Sequence, residues 1–386
     1  MSSSLSSLVS VPSAPLDVLI VAGNARSLIA NRGDLIRDIQ ARGHTVAAAV
    51  PTADMLPGVQ ALGIPVFPLP MARAALSPRR DLATLLALWR LMRRLQPRAV
   101  LGYTAKPVIY GGLAARLAGV PRCHALITGL GHAFAEPRGW RDRGLTATVA
   151  ALYRLGLAGQ HGVFFQNPDD RAEFDARGLI GRRTRATCVD GSGINLEAFP
   201  ACPIPEGPPL LLYVGRLLRD KGVAEFVAAA ARLKAEWPEA RFVAVGPHDA
   251  SLPHACAAED VVRWRREGIV EFVGGVDDVR PWLAACHAFV FPSRYREGVP
   301  RCVLEALATG RAVITTDAPG CRETVRDGGN GLLVPPGDIE ALADAMGVLL
   351  AQPALLARMG RASRALAVER FDVCRVNRMM LEAMGL

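Results

Sequence analysis

A repeating alternation of short apolar runs and amphipathic stretches constrains this chain more than any other feature of its sequence. Each apolar run has the length of a buried strand, and a turn and a segment of helical periodicity follow it, as at residues 34–42 and 82–95. This βαβ pattern predicts a parallel sheet with helices on both faces, so the fold class is α/β. The first series of predicted strands is 17–22, 45–50, 99–102, 123–128 and 162–166.

A proline-rich break interrupts this pattern. Residues 199–209 contain five prolines and one glycine, which cannot continue a helix or a strand, so they predict a linker. The strand pattern then restarts and predicts a second doubly wound domain, with a helix at 222–236. Its strands are expected at 210–214, 241–245, 269–272, 288–291, 312–315 and 331–334.

Basic residues are concentrated in the N-terminal half of the chain. The net charge is +9, yet residues 1–200 carry 23 Lys and Arg against 13 Asp and Glu, whereas residues 201–386 carry 22 against 23. This asymmetry indicates an anionic partner (a phosphorylated acceptor, a membrane surface or nucleic acid), unless the arginines only keep the chain soluble. The stretch 82–95 alternates apolar residues with Arg90, Arg93 and Arg94 and would fit an anionic surface, or else an ordinary packed helix.

Three further features indicate where the protein works. The eight cysteines show no CxxC or zinc spacing, which is typical of a reducing compartment. Residues 1–15 are rich in Ser and Pro without a basic start, so we expect a disordered tail and not a signal peptide. No apolar run approaches the ~20 residues that span a bilayer. We therefore expect a cytoplasmic protein that is peripheral on the inner face of the cell membrane.

The first chemical motif follows the predicted strand at 210–214. Gly215 allows the backbone to turn, and Arg216 and Lys221 flank the start of the next helix, before Gly222. Two cations beside the positive end of a helix make a site for a diphosphate. In isolation, the same residues would fit a solvated charged loop equally well.

The second motif is a pair of glutamates eight residues apart. Glu297 precedes a glycine turn, and its carboxylate can accept hydrogen bonds from sugar hydroxyls. Gly298, Val299 and Pro300 lead into a helix. Glu305 lies about two helical turns beyond Glu297, where it can chelate both ribose hydroxyls. Taken alone, this is also the common pattern of glutamate near a helix start.

Together the two motifs resemble those of glycosyltransferase family 4, which has the GT-B fold. The family's G-R-x4-K-G phosphate loop is met by Gly215, Arg216, Lys221 and Gly222, and its E-x7-E motif by Glu297 and Glu305. A V-x-F-x-G-like strand is met at 269–274, and the hinge motif appears at 191–199 with Asn195 in place of the usual Asp. The resemblance covers most of residues 15–370.

Within that family, the first half of the chain looks most like the branch that acts on polyprenyl-diphosphate-linked glycans. The matching stretches are residues 103–121 and 128–134. The branch often has an aromatic residue where His132 stands, and the early glycine-rich loop is reduced to Gly23. The segment 31–33 resembles a branch motif on the acceptor side, before an amphipathic stretch.

The resemblance implies an architecture and roles for individual residues. Two Rossmann-like domains would face a central cleft, with a tail at 1–15, an acceptor-binding domain at 16–200, a donor-binding domain at 201–365 and a helix at 366–386 packing back on the first domain. The catalytic residues would be Arg216, Lys221, Glu297 and His132. The donor would contact Gly23, Gly215, Arg216, Lys221, Phe272, Val273, Gly298, Val299, Pro300 and Glu305. The acceptor would contact Asn31, Arg32, Lys106 and Tyr110.

The implied reaction is a retaining transfer of a hexose or N-acetylhexosamine. The donor would be a UDP-linked sugar and the acceptor a lipid-linked glycan of cell-surface polysaccharide assembly, with no cofactor. The chain contains no D-x-D motif, which argues against a metal-dependent transferase, and nucleic acid is not an expected partner. Two alternatives stay open: a non-catalytic sugar-nucleotide binder, disfavoured by the intact set of charged residues, and a nucleotide-sugar epimerase of the same architecture.

Overall fold

The computed structural model describes residues 15–52, 57–71, 77–131, 134, 140–252 and 254–386. The chain divides into two compact units. Unit 1 comprises Met1–Ser192 and Val373–Leu386, and unit 2 comprises Gly193–Asp372. Apart from Pro15, the tail predicted at 1–15 lies outside the described residues.

Unit 1 is built on a parallel sheet that has seven strands within the described ranges. The strands are β1 (Val18–Ala22), β2 (Val46–Pro51), β3 (Val66–Leu69), β4 (Ala99–Tyr103), β5 (Arg122–Ile127), β6 (Gly162–Phe165) and β7 (Arg185–Cys188). Their order across the sheet is β3-β2-β1-β4-β5-β6-β7, and neighbours run parallel. The central strands are buried on both faces, which is why they occur in the sequence as continuous apolar runs.

Helices cover both faces of this sheet. They are α1 (Ala25–Ala41), α2 (Pro57–Gln60), α3 (Pro78–Leu95), α4 (Gly112–Ala118), α5 (Trp140–Leu157) and α6 (Pro168–Ala176). Buried side chains of α1 pack with Val18 and Ile20 on one face, and those of α3, α4 and α5 pack with Leu19 and Val21 on the other. Alternate residues of β1 therefore supply two separate cores, as strand geometry requires.

Unit 2 repeats this plan with its own parallel sheet. Its strands are β8 (Leu210–Val214), β9 (Arg241–Val245), β10 (Val270–Gly274), β11 (Ala288–Phe291), β12 (Ala312–Thr316) and β13 (Gly331–Val334), in the order β10-β9-β8-β11-β12-β13. Its helices are α7 (Val223–Leu233), α8 (Ala258–Glu267), α9 (Arg280–Ala285), α10 (Arg301–Thr309), α11 (Ile339–Ala351) and α12 (Pro353–Leu366). A large cluster of buried apolar side chains forms the core of this unit.

The last helix of the chain, α13 (Val373–Met384), belongs to unit 1. It packs on α1 and contributes four large apolar side chains to the core on that face: Val376, Met380, Leu381 and Met384. The Asn377 amide also donates a hydrogen bond to the Asp38 carboxylate of α1 at 2.7 Å.

Each sheet has a point where the direction of winding reverses. In unit 1, β1 lies between β2 and β4, and in unit 2, β8 lies between β9 and β11. The loops that follow the two central strands at such a point diverge and leave a crevice, where open α/β sheets bind their ligands. The loops after β8 and β11 are therefore the expected place for a ligand of unit 2.

The boundaries of the units differ from those expected at residues 200 and 365. The proline-rich segment is bonded to unit 2, because the Cys202 N–H donates to the Thr309 carbonyl (3.0 Å) and the Arg311 guanidinium donates to the Pro203 carbonyl (3.0 Å). The chain thus crosses between the units at 192/193 and 372/373. The beginning and the end of unit 2 are hydrogen-bonded to each other, because the Ile194 N–H donates to the Phe371 carbonyl at 2.7 Å.

The helix predicted at 34–42 begins earlier, at Ala25. Asn24 caps it, because its side-chain oxygen accepts the backbone N–H groups of Arg26 and Ser27. Residues 31–33 therefore lie inside α1 and not before it. Within the described residues, none of the helices has alone both the length and the apolar composition to cross a bilayer, and one bent pair, Ile339–Ala351 with Pro353–Phe371, meets those two criteria jointly.

Candidate active site

A loop with two cations follows β8 at the reversal point of unit 2. Arg216 is exposed, and a 3₁₀ turn at Arg219–Lys221 leads into α7. Gly222 has a φ of +77° and lies so close to the Pro292 carbonyl that a Cβ atom would overlap it. Only glycine fits there, and this close approach places Lys221 at the start of α7 beside the loop that follows β11.

The loop after β11 is hydrogen-bonded directly to this cationic loop. The Asp220 carbonyl accepts the backbone N–H groups of Arg294 (2.8 Å) and Tyr295 (3.0 Å). The Ser293 hydroxyl lies 3.2 Å from the same carbonyl oxygen. Because of these contacts, the two sequence motifs form one site although 76 positions separate Lys221 from Glu297.

Lys221 and Glu297 form an ion pair at this site. The Lys221 ammonium donates to Glu297 Oε1, and both side chains are largely buried. The ammonium also lies 5.6 Å from the ring centre of Phe291 and 5.1 Å from that of Tyr295, within cation–π range. Burial by itself lowers the pKa of Lys221, but the Glu297 carboxylate outweighs it and the pKa is raised. Lys221 therefore stays positively charged at neutral pH.

Glu305 lies on α10 and is paired within that helix. Its Oε1 accepts a hydrogen bond from Arg301 Nε, four residues earlier, at 3.1 Å. Burial raises the pKa of Glu305, and the Arg301 guanidinium opposes this shift only in part. Arg301 also donates to the Gly193 carbonyl at 3.4 Å. Glu305 is thus tied through Arg301 to the first residue of unit 2.

The turn between the two glutamates is closely packed. Gly298, Val299 and Pro300 are buried, and Pro300 is the N-cap of α10. Gly320 has a φ of +80°, and a Cβ atom on it would overlap the Gly298 carbonyl. The segment around Gly320 therefore supports the turn that follows Glu297, and a side chain at position 320 would displace that turn.

Phe272 and Val273, both predicted to contact the donor, lie at an irregularity of β10. Phe272 pairs with Ala244 and Gly274 with Val245, so Val273 is the extra residue of a bulge. Phe272 stacks on Trp264 with ring centres 6.1 Å apart, which occupies one face of its ring. Bulges redirect side chains and backbone groups near ligand sites. Both side chains are half-buried, and their contact with the donor stays a prediction.

In unit 1, Gly23 and Thr104 lie side by side after β1 and β4. A Cβ atom on Gly23 would overlap the Thr104 hydroxyl, so the contact requires glycine. Thr104 has a φ of +68°, which is rare for a β-branched residue. The next residues form a π-helical turn at Pro107–Gly111. Strained backbone and π turns are both frequent at functional sites, which favours this loop as a binding surface.

Lys106 and Tyr110, two of the predicted acceptor residues, converge on the Asp81 carboxylate. Lys106 Nζ lies 2.7 Å from Asp81 Oδ1, and both side chains are largely buried. Burial, together with the negative charge and hydrogen bond of Asp81, raises the pKa of Tyr110 to about 12. Asp81 also accepts the Ser77 N–H at 3.1 Å. Asp81 is not among the residues that the sequence singles out, although it organises two of them.

Asn31 and Arg32 are not part of this group. Asn31 is half-buried within α1, and Arg32 is buried with its guanidinium 5.5 Å from the ring centre of Tyr103. Helix α1 and the π-helical turn pack on opposite faces of the sheet. Asn31 and Arg32 therefore lie apart from Lys106 and Tyr110, and the contact of all four residues with the acceptor stays a prediction. His132 lies outside the described residues, and its role stays a prediction.

Two basic side chains bring positive charge to the site. Arg216 is close enough to Lys221 for its charge to oppose the raised pKa of that lysine. Over the part of the chain that the structure describes, no group of three or more His, Cys, Asp and Glu residues is arranged to hold a metal ion.

Two family models match the two halves of the chain in turn. Residues 31–190 match the glycosyl transferase 4-like domain, and residues 208–352 match the glycosyl transferases group 1 model. The second match includes the cationic loop and both glutamates, and together the matches cover most of the chain. The chain is a glycosyltransferase that contains both of these domains. The resemblance read from the motifs is thereby confirmed.

Relatives of this glycosyltransferase are similar over much of its length. The N,N'-diacetylbacillosaminyl-diphospho-undecaprenol alpha-1,3-N-acetylgalactosaminyltransferase of Campylobacter jejuni is 29% identical over 332 residues, which are 83% of this chain and 85% of that protein. The putative glycosyltransferase EpsD of Bacillus subtilis is 31% identical over 212 residues, 52% of this chain and 54% of that protein.

Solved structures show the fold of the glycosyltransferase. Sucrose-phosphate synthase of Thermosynechococcus elongatus superposes with a TM-score of 0.77 at 22% identity, covering 95% of this chain and 98% of that one. Anabaena HepE in complex with UDP-glucose gives 0.76 at 19% identity, covering 96% and 99%. The fold is therefore GT-B, with two Rossmann-like units, as predicted.

Proposed function

We propose that this glycosyltransferase moves a hexose or N-acetylhexosamine from a UDP-linked donor to a polyprenyl-diphosphate-linked glycan, with retention of configuration and without a metal ion or cofactor. The observation that carries the proposal is Lys221, held charged by Glu297 and beside Arg216 at the reversal point of unit 2. The Campylobacter jejuni relative is named for transfer to a diphospho-undecaprenol-linked sugar, and a structural neighbour binds UDP-glucose. These names support the two substrate classes.

The donor diphosphate would bind to the two cations. An ammonium group has three N–H donors, and the contact with Glu297 uses one of them, which leaves Lys221 two for phosphate oxygens. Arg216 adds a second positive charge from the exposed side of the loop. Cations fixed before the reaction stabilise the charge that develops on the leaving diphosphate, and this is the task that a metal ion performs in other transferases.

Retention follows if the acceptor attacks on the side from which the diphosphate leaves. Glu297 is engaged by Lys221, so it is better suited to orient a sugar hydroxyl than to attack the anomeric carbon. The bond between the anomeric carbon and the diphosphate oxygen breaks, and the acceptor hydroxyl forms the new bond on the same face. Its proton passes to the leaving phosphate oxygen, and UDP departs.

Product analysis tests this proposal. The protein is incubated with UDP-, GDP- and ADP-sugars and a short polyprenyl-diphosphate-linked glycan, with and without excess EDTA, and products are identified by mass spectrometry and NMR. We expect transfer from a UDP-sugar, an unchanged anomeric configuration and no loss of rate in EDTA. Arg216→Ala and Lys221→Ala should each lower turnover by about 10²-fold or more.

Lys234→Ala is the matched control for these variants. The Lys234 amine donates to the Pro238 and Ala240 carbonyls, away from the site, so its loss should leave turnover normal. An inverted product, or a rate that EDTA abolishes and Mg²⁺ restores, would contradict the proposed chemistry. Binding of UDP-sugars without turnover would favour the non-catalytic binder.

We also propose that one face of unit 1 rests on an anionic membrane surface. Helices α3, α4 and α5 expose large apolar side chains, namely Leu82, Leu86, Leu117, Trp140, Leu145 and Leu155. Arg90, Arg93 and Arg94 are exposed on α3 as well. Apolar residues that enter the headgroup layer beside arginines that meet phosphates are typical of interfacial helices.

The structure corrects which residues of α3 could enter a membrane. The apolar residues of the stretch 82–95 that were expected to meet the surface include Leu85, Leu86, Leu88, Trp89 and Met92. Of these, Leu88 and Met92 are buried in the core of unit 1, and Leu85 and Trp89 pack against it. The outward face carries Leu82 and Leu86, of which Leu86 belongs to the expected apolar residues. The proposed contact therefore depends on these two leucines and on the arginines further along the helix.

A further inference from the structure

Ser293 lies between the two motifs of the donor site. Its side chain is fully buried in the loop after β11. Its hydroxyl lies 3.1 Å from Glu297 Oε1, the same oxygen that accepts the Lys221 ammonium. Its backbone is anchored as well, because Thr316 Oγ1 of β12 donates to the Ser293 carbonyl. The hydroxyl is therefore held in one place beside the ion pair.

The neighbours of this hydroxyl decide which acceptor receives its proton. One candidate is the Asp220 carbonyl at 3.2 Å, which already accepts the N–H groups of Arg294 and Tyr295. The Tyr295 N–H also approaches Ser293 Oγ at 3.2 Å, so Oγ is an acceptor on that side. A carboxylate is a stronger acceptor than a carbonyl whose two lone pairs are in use. The proton is thus donated to Glu297 Oε1.

We propose that Ser293 is a positioning residue for the transfer reaction, whose hydroxyl holds Glu297 Oε1 from one side while the Lys221 ammonium holds it from the other. One carboxylate oxygen then fixes both the glutamate that orients the sugar and the lysine that meets the diphosphate. The kinetic part of this inference rests on the proposed function. The geometric part, the dependence of the Lys221–Glu297 pair on Ser293, does not.

Chemical labelling of lysines tests the geometric part without any substrate. The chain has three lysines, Lys106, Lys221 and Lys234, so each is resolved by mass spectrometry after reaction with an amine-reactive reagent. Only the neutral amine reacts, and burial lowers the pKa of Lys221 wherever Glu297 does not compensate. In Ser293→Ala the Glu297 carboxylate is no longer held on one side and can turn away from the ammonium, so the pKa of Lys221 should fall. We therefore expect Lys221 to react faster than in the wild type, relative to Lys234 in the same sample.

Ser363→Ala is the matched control. Ser363 is a fully buried serine on α12 of the same unit, away from the ion pair. Its hydroxyl donates a hydrogen bond to the Asn330 carbonyl at 3.1 Å. Both variants lose one buried hydroxyl, so both should lose some thermal stability. Only Ser293→Ala should alter Lys221 labelling, because only there does the glutamate lose a hydrogen-bond donor.

Kinetics test the consequence for the reaction. Ser293→Ala should lower kcat by about tenfold, the effect of one lost hydrogen bond to a charged group, with little change in the donor KM. Ser293→Thr keeps the hydroxyl and should recover most of that rate, and Ser363→Ala should retain the wild-type kcat.

The two readouts separate the inference from the proposed function. Labelling of Lys221 in Ser293→Ala that equals labelling in the wild type and in Ser363→Ala would overturn the positioning role. If the wild type transfers no sugar from any donor, the proposed function fails, while the labelling result still decides whether Ser293 holds the pair.

Discussion

The charge of Glu305 is subject to two opposing influences, which would matter for the expected contact with the ribose of the donor. Burial raises the pKa of its carboxyl, and the Arg301 guanidinium reverses only part of that shift. Since the pKa is higher in the folded than in the unfolded chain, ionised Glu305 costs folding free energy at neutral pH, and this cost disappears as the pH falls through the raised pKa. Chelation of ribose hydroxyls needs the ionised form. Acidification therefore favours folding at this residue but opposes binding.

UDP binding should weaken on acidification at a higher pH than the ~4.3 typical of an ordinary glutamate. Glu305→Gln should weaken UDP binding at neutral pH by about 10- to 100-fold, because hydrogen bonds to a charged group contribute ~1.5–3 kcal/mol. The variant should also lose the part of the acid dependence that belongs to Glu305. Calorimetric titration with UDP between pH ~8 and ~5 measures both effects.

Glu340→Gln is the control for this titration. Glu340 is 75% exposed on unit 2 and pairs only with the exposed Arg232 in the described contacts. It should leave the affinity for UDP and its pH dependence unchanged. The phosphate groups of UDP titrate in the same way with the wild type and with both variants. The ratio of the wild-type affinity to the Glu305→Gln affinity at each pH therefore reports only the contribution of Glu305. An acid dependence in Glu305→Gln as steep as in the wild type would contradict the assigned role.

The sequence indicates which residue types make up the candidate donor site but not which residues they contact. Arg216, Lys221 and Glu297 stand at fixed short distances from the end of a strand or the start of a helix, so local pattern identifies them. The contact of Ser293 with Asp220 exists because β8 and β11 are neighbours in the sheet, and no local pattern contains that information. Arg301 is different, since its four-residue spacing from Glu305 is a recognisable helical pair.

At the scale of elements, buried strands were predictable and edge strands were less so. The predicted bounds of β8, β9 and β11 coincide with the observed ones, because burial on both faces produces continuous apolar runs. The edge strand β13 is also predicted at its observed bounds, although its two central residues are only half-buried. The edge strands β3 and β7 are four residues each and are absent from the predicted strands, and β3 contains Pro68. The π-helical turn at Pro107–Gly111, which packs against α5, also has no local pattern in the sequence that predicts it.

Helix α13 makes unit 1 discontinuous in sequence, and we expect the stability of that unit to depend on the side chains that the helix buries. Met380 and Leu381 are fully buried in the cluster that α1 shares with the sheet. Replacing both with alanine should destabilise unit 1 by ~4–10 kcal/mol, since each such truncation costs ~2–5 kcal/mol. That amount is comparable with the whole stability of a domain, ~5–15 kcal/mol. Hydrogen-exchange mass spectrometry should therefore show loss of protection in peptides from unit 1.

The matched control replaces two outward-facing residues of the same helix. Arg375 and Arg378 are exposed, so Arg375→Ala with Arg378→Ala removes similar helix surface without opening the core. This variant should keep wild-type protection throughout. Because unit 2 has a core of its own, its peptides should stay protected in the Met380 and Leu381 double variant. Equal loss of protection in peptides from both units would show that the two cores are not independent.

At the scale of the whole molecule, charge and exposed apolar surface are concentrated in the same half of the chain. Residues 1–200 carry the excess of 23 Lys and Arg over 13 Asp and Glu. Within the described residues, the exposed leucines and the exposed tryptophan all lie on unit 1. The exposed large apolar side chains of unit 2 are all valines. Exposed apolar side chains grouped on one face of a fold typically mark an interaction surface.

Binding to vesicles is the prediction that belongs to this scale. The protein should co-sediment with anionic vesicles at low salt and dissociate as salt rises, since the screening length shortens to ~8 Å at 0.15 M. Replacing Arg90, Arg93 and Arg94 with glutamine should weaken binding by roughly 100-fold, because each basic residue near such a surface contributes about 1 kcal/mol. Replacing Arg263, Arg265 and Arg266 of α8 with glutamine makes the same change of charge on exposed residues of unit 2 and should leave binding unchanged.

Leu82→Ser with Leu86→Ser should lower affinity at every salt concentration without altering the salt dependence, since it removes apolar contact and no charge. Equal sedimentation with neutral and anionic vesicles, or none with either, would exclude the membrane contact while leaving the assignment as a glycosyltransferase untouched.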